Sequence, residues 1–242
     1  MSVYACSDLH SQYHLYEQIK SFIKPEDIVF FLGDAGDRET VPGNSWKTIK
    51  AIMNDPQFIP IKGNHEDMLI DAARSYYPDE RIGHGFSLLV SNGGRATFYD
   101  MMNDYHGERW INHIRQYPTH AEYTNAQGQL VLLSHAGYTP IADPKDGNIN
   151  FPDDHELIWS RDHFWDSWDE EHFPNAVVVH GHTPIPYMAD YLQITPIDKP
   201  IWYANRHKVC IDTAAFVTGF CFLLNLDTWE YLTFNNESFI FY

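Results

Sequence analysis

The sequence predicts an α/β sandwich with mixed sheets flanked by helices, folded as a single domain over residues 1–242. Three observations carry this expectation. Strand and helix signals alternate through the first third, the order that builds parallel strand–helix–strand units. Closely spaced strand signals crowd the last third, the pattern of antiparallel hairpins. Five of the strands also run straight into polar, ligand-capable residues at their carboxyl ends, where open α/β sheets place their sites.

Taken in order, "VYACS" (3–7) reads as a strand and "HLYEQIKSFI" (14–23) as an amphipathic helix. "IVFFLG" (28–33) is a second strand, Ser45 to Asn54 a helix, and "FIPIKG" (58–63) a third strand, with a further helix starting near Glu66. This run implies a largely parallel sheet at the centre. Residues 76–128 are polar and less regular, with one helical stretch near Met101 to Ile114, and are expected to shape a substrate groove. Strands resume at "LVLLS" (130–134), "AVVVH" (176–180), "KVCID" (208–212), "FVTGFCFLLNL" (216–226) and "WEYLTF" (229–234). "NLDT" (225–228) supplies a turn between the last two. No repeat, low-complexity tract or Gly/Ser linker marks an internal boundary.

Composition bounds the function. With 44% hydrophobic and 15% aromatic residues, the chain can build a core, unlike a disordered segment. The longest apolar runs are far shorter than the roughly 18 residues of a membrane span. Cys6, Ser7 and Asp8 interrupt any secretory hydrophobic region. Three cysteines (Cys6, Cys210, Cys221) are an odd set in strand-like context, which suggests reduced thiols and a cytoplasmic protein. A net charge of −17 repels nucleic acid and anionic lipid, so neither is an expected partner. The same field would repel an anionic substrate unless local positive charge outweighs it.

The strand ends supply that charge. The first strand leads to Asp8 and His10, the second to Asp34, Asp37 and Arg38, and the third to Asn64, His65 and Glu66. "LVLLS" leads to His135 and "AVVVH" to Gly181-His182. Asp, Asn and His without thiolate suit two hard or borderline divalent ions such as manganese, iron or zinc. If two ions sit about 3.5–4 Å apart one carboxylate must bridge them, and Asp34 lies between the other ligands in strand order. Two divalent cations against Asp8 and Asp34 leave a positive pocket inside an acidic shell.

These motifs, D-x-H, G-D-x-x-D-R, G-N-H-E, H-x-G and G-H-T-P, stand in order along nearly the whole chain. The chain resembles the phosphoprotein phosphatase branch of the dinuclear, calcineurin-like metallophosphoesterases, most closely the small bacterial and bacteriophage-lambda-type serine/threonine phosphatases. Weaker echoes are "SNGG" (91–94), "YP" (117–118), "IWSRD" (158–162) and "IDTAA" (211–215). The resemblance implies Asp8, His10 and Asp34 on one metal, and Asp34, Asn64, His135 and His182 on the second. It implies Arg38, Arg161 and Asn64 against the substrate, His65 as the general acid and Asp37 orienting its ring. Water activated between the metals would attack phosphorus in line while His65 protonates the leaving oxygen. The expected substrate is a phosphorylated protein or peptide, on Ser or Thr and also Tyr, or a small phosphoester.

The chain departs from the family at Ser7 and Ser11, where glycine is usual, and at Glu39, where glycine commonly follows the arginine. An acid beside Arg38 is expected to weaken phosphate binding or to favour a substrate carrying positive charge. Plainer readings stand beside these. His180 reads as packing behind His182, and Glu66 as a helix-opening acid or a support for the site. Asn92-Gly93-Gly94 reads as a turn, and Asp212 as a hydrogen-bond partner of a ligand histidine. "DHELIWSRDHFWDSWDEEH" could be an exposed acidic helix, leaving Arg161 outside the site. The other histidines (His14, His84, His106, His113, His120, His155, His163, His172, His207) lack strand-end context and read as structural or surface. Rival functions are a symmetrical diadenosine-tetraphosphate hydrolase or other nucleotide phosphodiesterase, and a non-catalytic binding scaffold.

Overall fold

Apolar residues alternate along the strands with period two, so each strand offers one face to a second sheet and the other to helices. The computed structural model describes residues 1–74, 84–143, 145, 147–193, 198–235 and 240–241. Its strands are β1 (Val3–Cys6), β2 (Ile28–Phe31), β3 (Phe58–Pro60), β4 (His120–Thr124), β5 (Leu130–Ser134), β6 (Ile141–Ala142), β7 (Ile149–Asn150), β8 (Ala176–His180), β9 (Ile201–Tyr203), β10 (Lys208–Cys210), β11 (Phe220–Asn225), β12 (Tyr231–Asn235) and β13 (Ile240–Phe241). Its helices are α1 (Tyr13–Phe22), α2 (Asn44–Asn54), α3 (Asn64–Arg74), α4 (His84–Ser91), α5 (Arg95–Asn103), α6 (Gly107–Ile114), α7 (Asp154–Trp159), α8 (Ile185–Leu192) and the single turn α9 (Ala215–Thr218).

One sheet runs β13-β12-β11-β1-β2-β3 and the other β4-β5-β8-β10-β9, with β6 and β7 a separate hairpin. Val3 and Ala5 of β1, Phe30 of β2, Val131 and Leu133 of β5, Val177 and Val179 of β8 and Val209 of β10 form the layer between the sheets. The alternate residues Tyr4, Cys6, Val29 and Phe31 face outward onto helices, meeting Leu15 and Ile19 of α1. Leu15, Ile19 and Phe22 recur every three or four residues, which is why α1 presents a single apolar face. Burying each such side chain contributes about 1.5–3 kcal/mol. On the far sheet, Leu132 and Val178 pack under Leu157 and Phe173, and Cys210 under Ile185 and Met188 of α8. The result is four layers, as the strand and helix pattern predicts.

Three details differ from the sequence expectation. The centre is mixed: β1–β2 and β2–β3 are parallel, but β1 pairs antiparallel with β11. "KVCID" joins the other sheet, parallel to β8 with Val209 opposite Val179, and forms no hairpin with the strand that follows. Its apolar pattern fits either sheet, so only the spatial neighbour decides. The helix near Met101 to Ile114 is two helices, broken at Asp104, whose carboxylate accepts bonds from Trp46 Nε1 at 2.9 Å and Lys50 Nζ at 2.8 Å of α2. Residues 75–83, which include the first part of the irregular segment, lie outside the described residues. The described part of that segment serves the core through Leu89, Phe98, Met101, Ile111 and Ile114, and it also lines the cavity described below through Asn92. Cys6, Cys210 and Cys221 are buried free thiols. Among the described residues no helix is long and apolar enough to cross a membrane.

Candidate metal centre and active site

The loops after β1, β2, β3, β5 and β8 meet at one edge, knitted by backbone bonds. Asp8 N–H donates to Gly33 C=O at 3.1 Å, His10 N–H to Asp34 C=O at 3.0 Å, and Gly181 N–H to His135 C=O at 2.9 Å. Asp8, His10, Ser11, Asp34, Asp37, Arg38 and His182 all have φ between +41° and +68°, the left-handed region. Each such residue costs about 1–2 kcal/mol outside glycine, and this strain gathers where side chains must turn inward. Gly33 and Gly63 touch: a Cβ on Gly33 would lie 2.5 Å from Gly63 Cα.

The ring protons of two histidines point away from the centre. His135 Nδ1 donates to Leu32 C=O at 2.6 Å, and His182 Nε2 to Trp159 C=O at 3.1 Å. Lone pairs therefore remain on His135 Nε2 and His182 Nδ1, which lie 3.1 Å apart, and each lies 2.9–3.0 Å from Asn64 Oδ1. Three acceptors facing each other with no proton between them repel, unless a cation shares them. His10 is set the same way: Nδ1 donates to Gly36 C=O at 3.0 Å, and Nε2 faces Asp34 Oδ2 at 3.6 Å and Asp8 Oδ1 at 3.9 Å. Asp34 stands between the groups, its Oδ1 3.4 Å from His135 Nε2. Ligand atoms of Asp8, Asp34 and His135 lie within 4.8 Å of one another, as do those of His10, Asp34 and His65. The donor set fits divalent ions on both sides of Asp34.

Burial shapes the charges. Asp8 and Asp34 are pushed well above the usual carboxylate range, by desolvation first and then by neighbouring acids. Burial holds the three imidazoles neutral, with His135 pushed down to about 3 and His10 and His182 well below the usual value. Neutral imidazoles are ready to bind a metal, whereas the two crowded carboxyls must give up their protons as it binds.

Beside this cluster lies a second constellation. His65 Nδ1 donates to Asp37 Oδ2 at 2.6 Å. Arg38 Nη1 donates to His10 Nε2 and Nη2 to His65 Nε2, both at 3.1 Å, so its guanidinium spans the two rings. Asp37 is itself fixed: Thr97 Oγ1 donates to its carboxylate, and its N–H donates to Ser45 Oγ at 2.7 Å. Nothing in the sequence singles out Thr97 or Ser45. His10, Asp34, Arg38, Asn64, Arg161 and His182 line one cavity of about 710 Å³.

Residues 1–211 match the family described as calcineurin-like phosphoesterase. The chain belongs to that family. It is thus a metallophosphoesterase, a hydrolase of phosphoric esters that works with divalent metal ions. In fold it is similar to a putative diadenosine tetraphosphatase (13% identity, TM-score 0.58, covering 96% of this chain and 92% of that one). It is similar also to a cold-active protein-tyrosine phosphatase of a psychrophilic Shewanella species (16%, 0.54, 96% and 77%). A protein serine/threonine phosphatase from Saccharomyces cerevisiae shares the fold too (12%, 0.55, 93% and 73%). At these identities the likeness establishes the fold. No curated protein matches the chain in sequence.

The remaining residues of this phosphoesterase fall into place around the cavity. Arg161 is not on a helix: α7 ends at Trp159, and Arg161 Nη2 donates to His182 C=O at 3.4 Å. His180 stays behind His182, donating from Nδ1 to Gly181 C=O at 3.0 Å and accepting from Tyr203 Oη at 2.7 Å. Asp212 accepts the N–H of Ala214 at 2.8 Å, and among the described residues no ligand histidine bonds to it. Burial raises its carboxyl to about 6.

The acid at position 39 turns to the chain that follows it, its Oε2 accepting the N–H groups of Gly43 at 3.1 Å and Ser45 at 3.2 Å. Ser7 Oγ donates to Asp8 Oδ2, and Ser11 Oγ to Asp37 C=O at 2.6 Å, so both departures from glycine brace the site. Glu66 turns back from α3 and accepts the N–H groups of Asp34, Gly63 and Ala35 at 2.8, 2.9 and 3.0 Å. "SNGG" is more than a turn, since Gly93 C=O accepts the N–H of Arg38 at 3.1 Å.

Proposed function

We propose that the chain is a phosphomonoesterase of the phosphoprotein phosphatase branch, of the small bacterial and bacteriophage-lambda type, acting on phosphorylated Ser, Thr or Tyr in proteins. The observation that carries this reading is Arg38 spanning His10 and His65 while Asp37 braces His65 from behind at 2.6 Å. A monoester of an alcohol needs its phosphoryl oxygens gripped and its departing oxygen protonated. A guanidinium fork meets the first need and a braced imidazole the second.

Asp8, His10 and Asp34 would hold one divalent ion, and Asp34, Asn64, His135 and His182 another, manganese being the expected metal. The ions supply Lewis acidity to the phosphoryl group and lower the pKa of water toward neutrality. The protein's residues do the rest. Arg38 and Arg161 orient the phosphoryl oxygens. Once Arg38 turns from the two rings to the phosphoryl oxygens, a His65 ring protonated at both nitrogens would present its Nε2 proton to the leaving oxygen, while the Asp37 carboxylate holds the Nδ1 proton in place and stabilises the charged ring. Arg38 and Arg161 are the only Lys or Arg side chains among the described lining residues, which suits one phosphate better than a polyphosphate chain.

The test compares phosphoserine and phosphotyrosine peptides with diadenosine tetraphosphate on one manganese-loaded preparation. Faster release of phosphate from the peptides is the expected result, and faster cleavage of the dinucleotide would overturn the substrate class. His65→Asn should lower peptide turnover by about 10²–10⁴-fold with metal still bound, least for good leaving groups. Full activity of that variant would remove His65 from the chemistry.

A further inference from the structure

We propose that the cavity beside the metal ligands is a subsite for an aromatic ring carried on the ester oxygen, so that aryl phosphomonoesters such as phosphotyrosine are preferred over alkyl ones such as phosphoserine. This rests on the phosphomonoesterase reading and names its substrate class.

Two unlike sets of residues line the cavity. One is His10, Asp34, Arg38, Asn64, Arg161 and His182. Besides these no charged side chain among the described residues lines it; Asn92, Thr183 and Thr218 add uncharged polar groups, and the apolar walls include Phe164, Trp165, Tyr187, Met188, Phe216 and Val217. The apolar wall starts at the phosphate grip itself. Arg38 Cζ lies 4.7 Å from the Phe216 ring centroid, and the His10 ring centroid lies 5.4 Å from it. A ring bonded directly to the ester oxygen would meet Phe216 at once, whereas a nucleobase sits a ribose farther out.

The chain holds this wall deliberately. Asp212 accepts the Ala214 N–H at 2.8 Å, Ala214 has φ +56° and Gly219 φ +74°, and the single turn α9 between them carries Phe216 and Val217. Trp165 and Phe164 follow Arg161, and Tyr187 and Met188 follow His182, so the sequence that delivers each polar group also delivers its apolar neighbour. Trp165, Tyr187 and Val217 are 68%, 68% and 74% exposed. Large apolar side chains left in water around one opening mark a place where a ligand covers them. An alkyl phosphate would leave them bare, and a second phosphate would find no cation there.

Leaving-group acidity alone makes aryl esters faster, so the test reads binding with phosphonates, which are not hydrolysed. Competitive inhibition of the manganese-loaded enzyme by phenylphosphonate and by methylphosphonate is compared, with adenosine 5′-monophosphate as the nucleotide arm. Two ring contacts should make phenylphosphonate bind about ten- to a hundred-fold more tightly than methylphosphonate. Tyr187→Ala and Trp165→Ala should each shrink that ratio several-fold. Equal inhibition by the two phosphonates in an active enzyme would overturn the subsite and leave the phosphomonoesterase reading standing, as would the nucleotide binding more tightly than the phenyl compound. No turnover of any phosphomonoester would remove the reading beneath the proposal and the proposal with it.

Discussion

Replacing Glu66 by Gln tests what holds the central turn in shape. Glu66 is 3% exposed, and its two oxygens accept three backbone N–H groups: Asp34 and Gly63 on Oε2, Ala35 on Oε1. Glutamine can place its one carbonyl oxygen where Oε2 sits, but its NH₂ must then face the Ala35 N–H, donor against donor. One charge-assisted bond is lost, at about 1.5–3 kcal/mol, and the two kept are weakened to neutral acceptors. The sum is about 3 kcal/mol, which in a chain of this size lowers the melting temperature by about 6–12 °C. Burial raises the Glu66 carboxyl above its ordinary value, so the measurement belongs at pH 8, where the ionised form is compared with the amide. Thermal unfolding in metal-free buffer reads the stability. Calorimetric titration with manganese reads the consequence, because the Asp34 turn is what Glu66 supports. A loss under about 1 kcal/mol would refute the claim that this carboxylate carries the turn.

Asp37→Asn keeps the bulk but can turn its NH₂ toward His65 Nδ1, so turnover should fall at least about tenfold while manganese affinity stays within about twofold; equal loss of both would show Asp37 to be a metal-site scaffold. Manganese affinity should fall as pH drops, because buried Asp8 and Asp34 must lose protons held above the usual range. The fall is about tenfold per pH unit for each proton displaced, and calorimetry in two buffers of different ionisation heat counts those protons. Lys208, fully buried with Nζ donating to Thr139 Oγ1 and to His163 C=O at 2.6 Å, is lowered by burial to about 8. Between that value and the ordinary one near 10.5 the unfolded chain holds a proton that the fold does not, so stability should rise with pH there. Relative to Lys208→Met, the wild-type chain should gain about 2 kcal/mol from pH 8 to 10, measured by urea unfolding at both.

Strand positions and the turns that carry Asp, Asn and His were legible because both are local. An apolar run such as "AVVVH" is a buried strand in any context, and Gly181-His182 must follow it at its carboxyl end. The order of strands along the chain then sufficed to expect Asp8, His10, Asp34, Asn64, His135 and His182 at one edge. What the sequence could not decide is which distant groups meet. The sheet that "KVCID" enters depends on the spatial partner of β10, since its pattern is equally apolar in either. The helix near Met101 breaks because Trp46 and Lys50, more than fifty residues earlier, capture Asp104. Glu66, Ser7, Ser11, Thr97 and Glu39 look like ordinary polar residues until the fold brings backbone N–H groups, a carbonyl or a carboxylate to them. The aromatic wall likewise draws on three segments, around Trp165, Tyr187 and Phe216, that share a cavity only after two sheets have packed. Periodicity and chain order are properties of neighbours in sequence, and they determined the layers and the edge that gathers the polar turns; hydrogen bonds and cavities are properties of neighbours in space, and only the tertiary structure decided them.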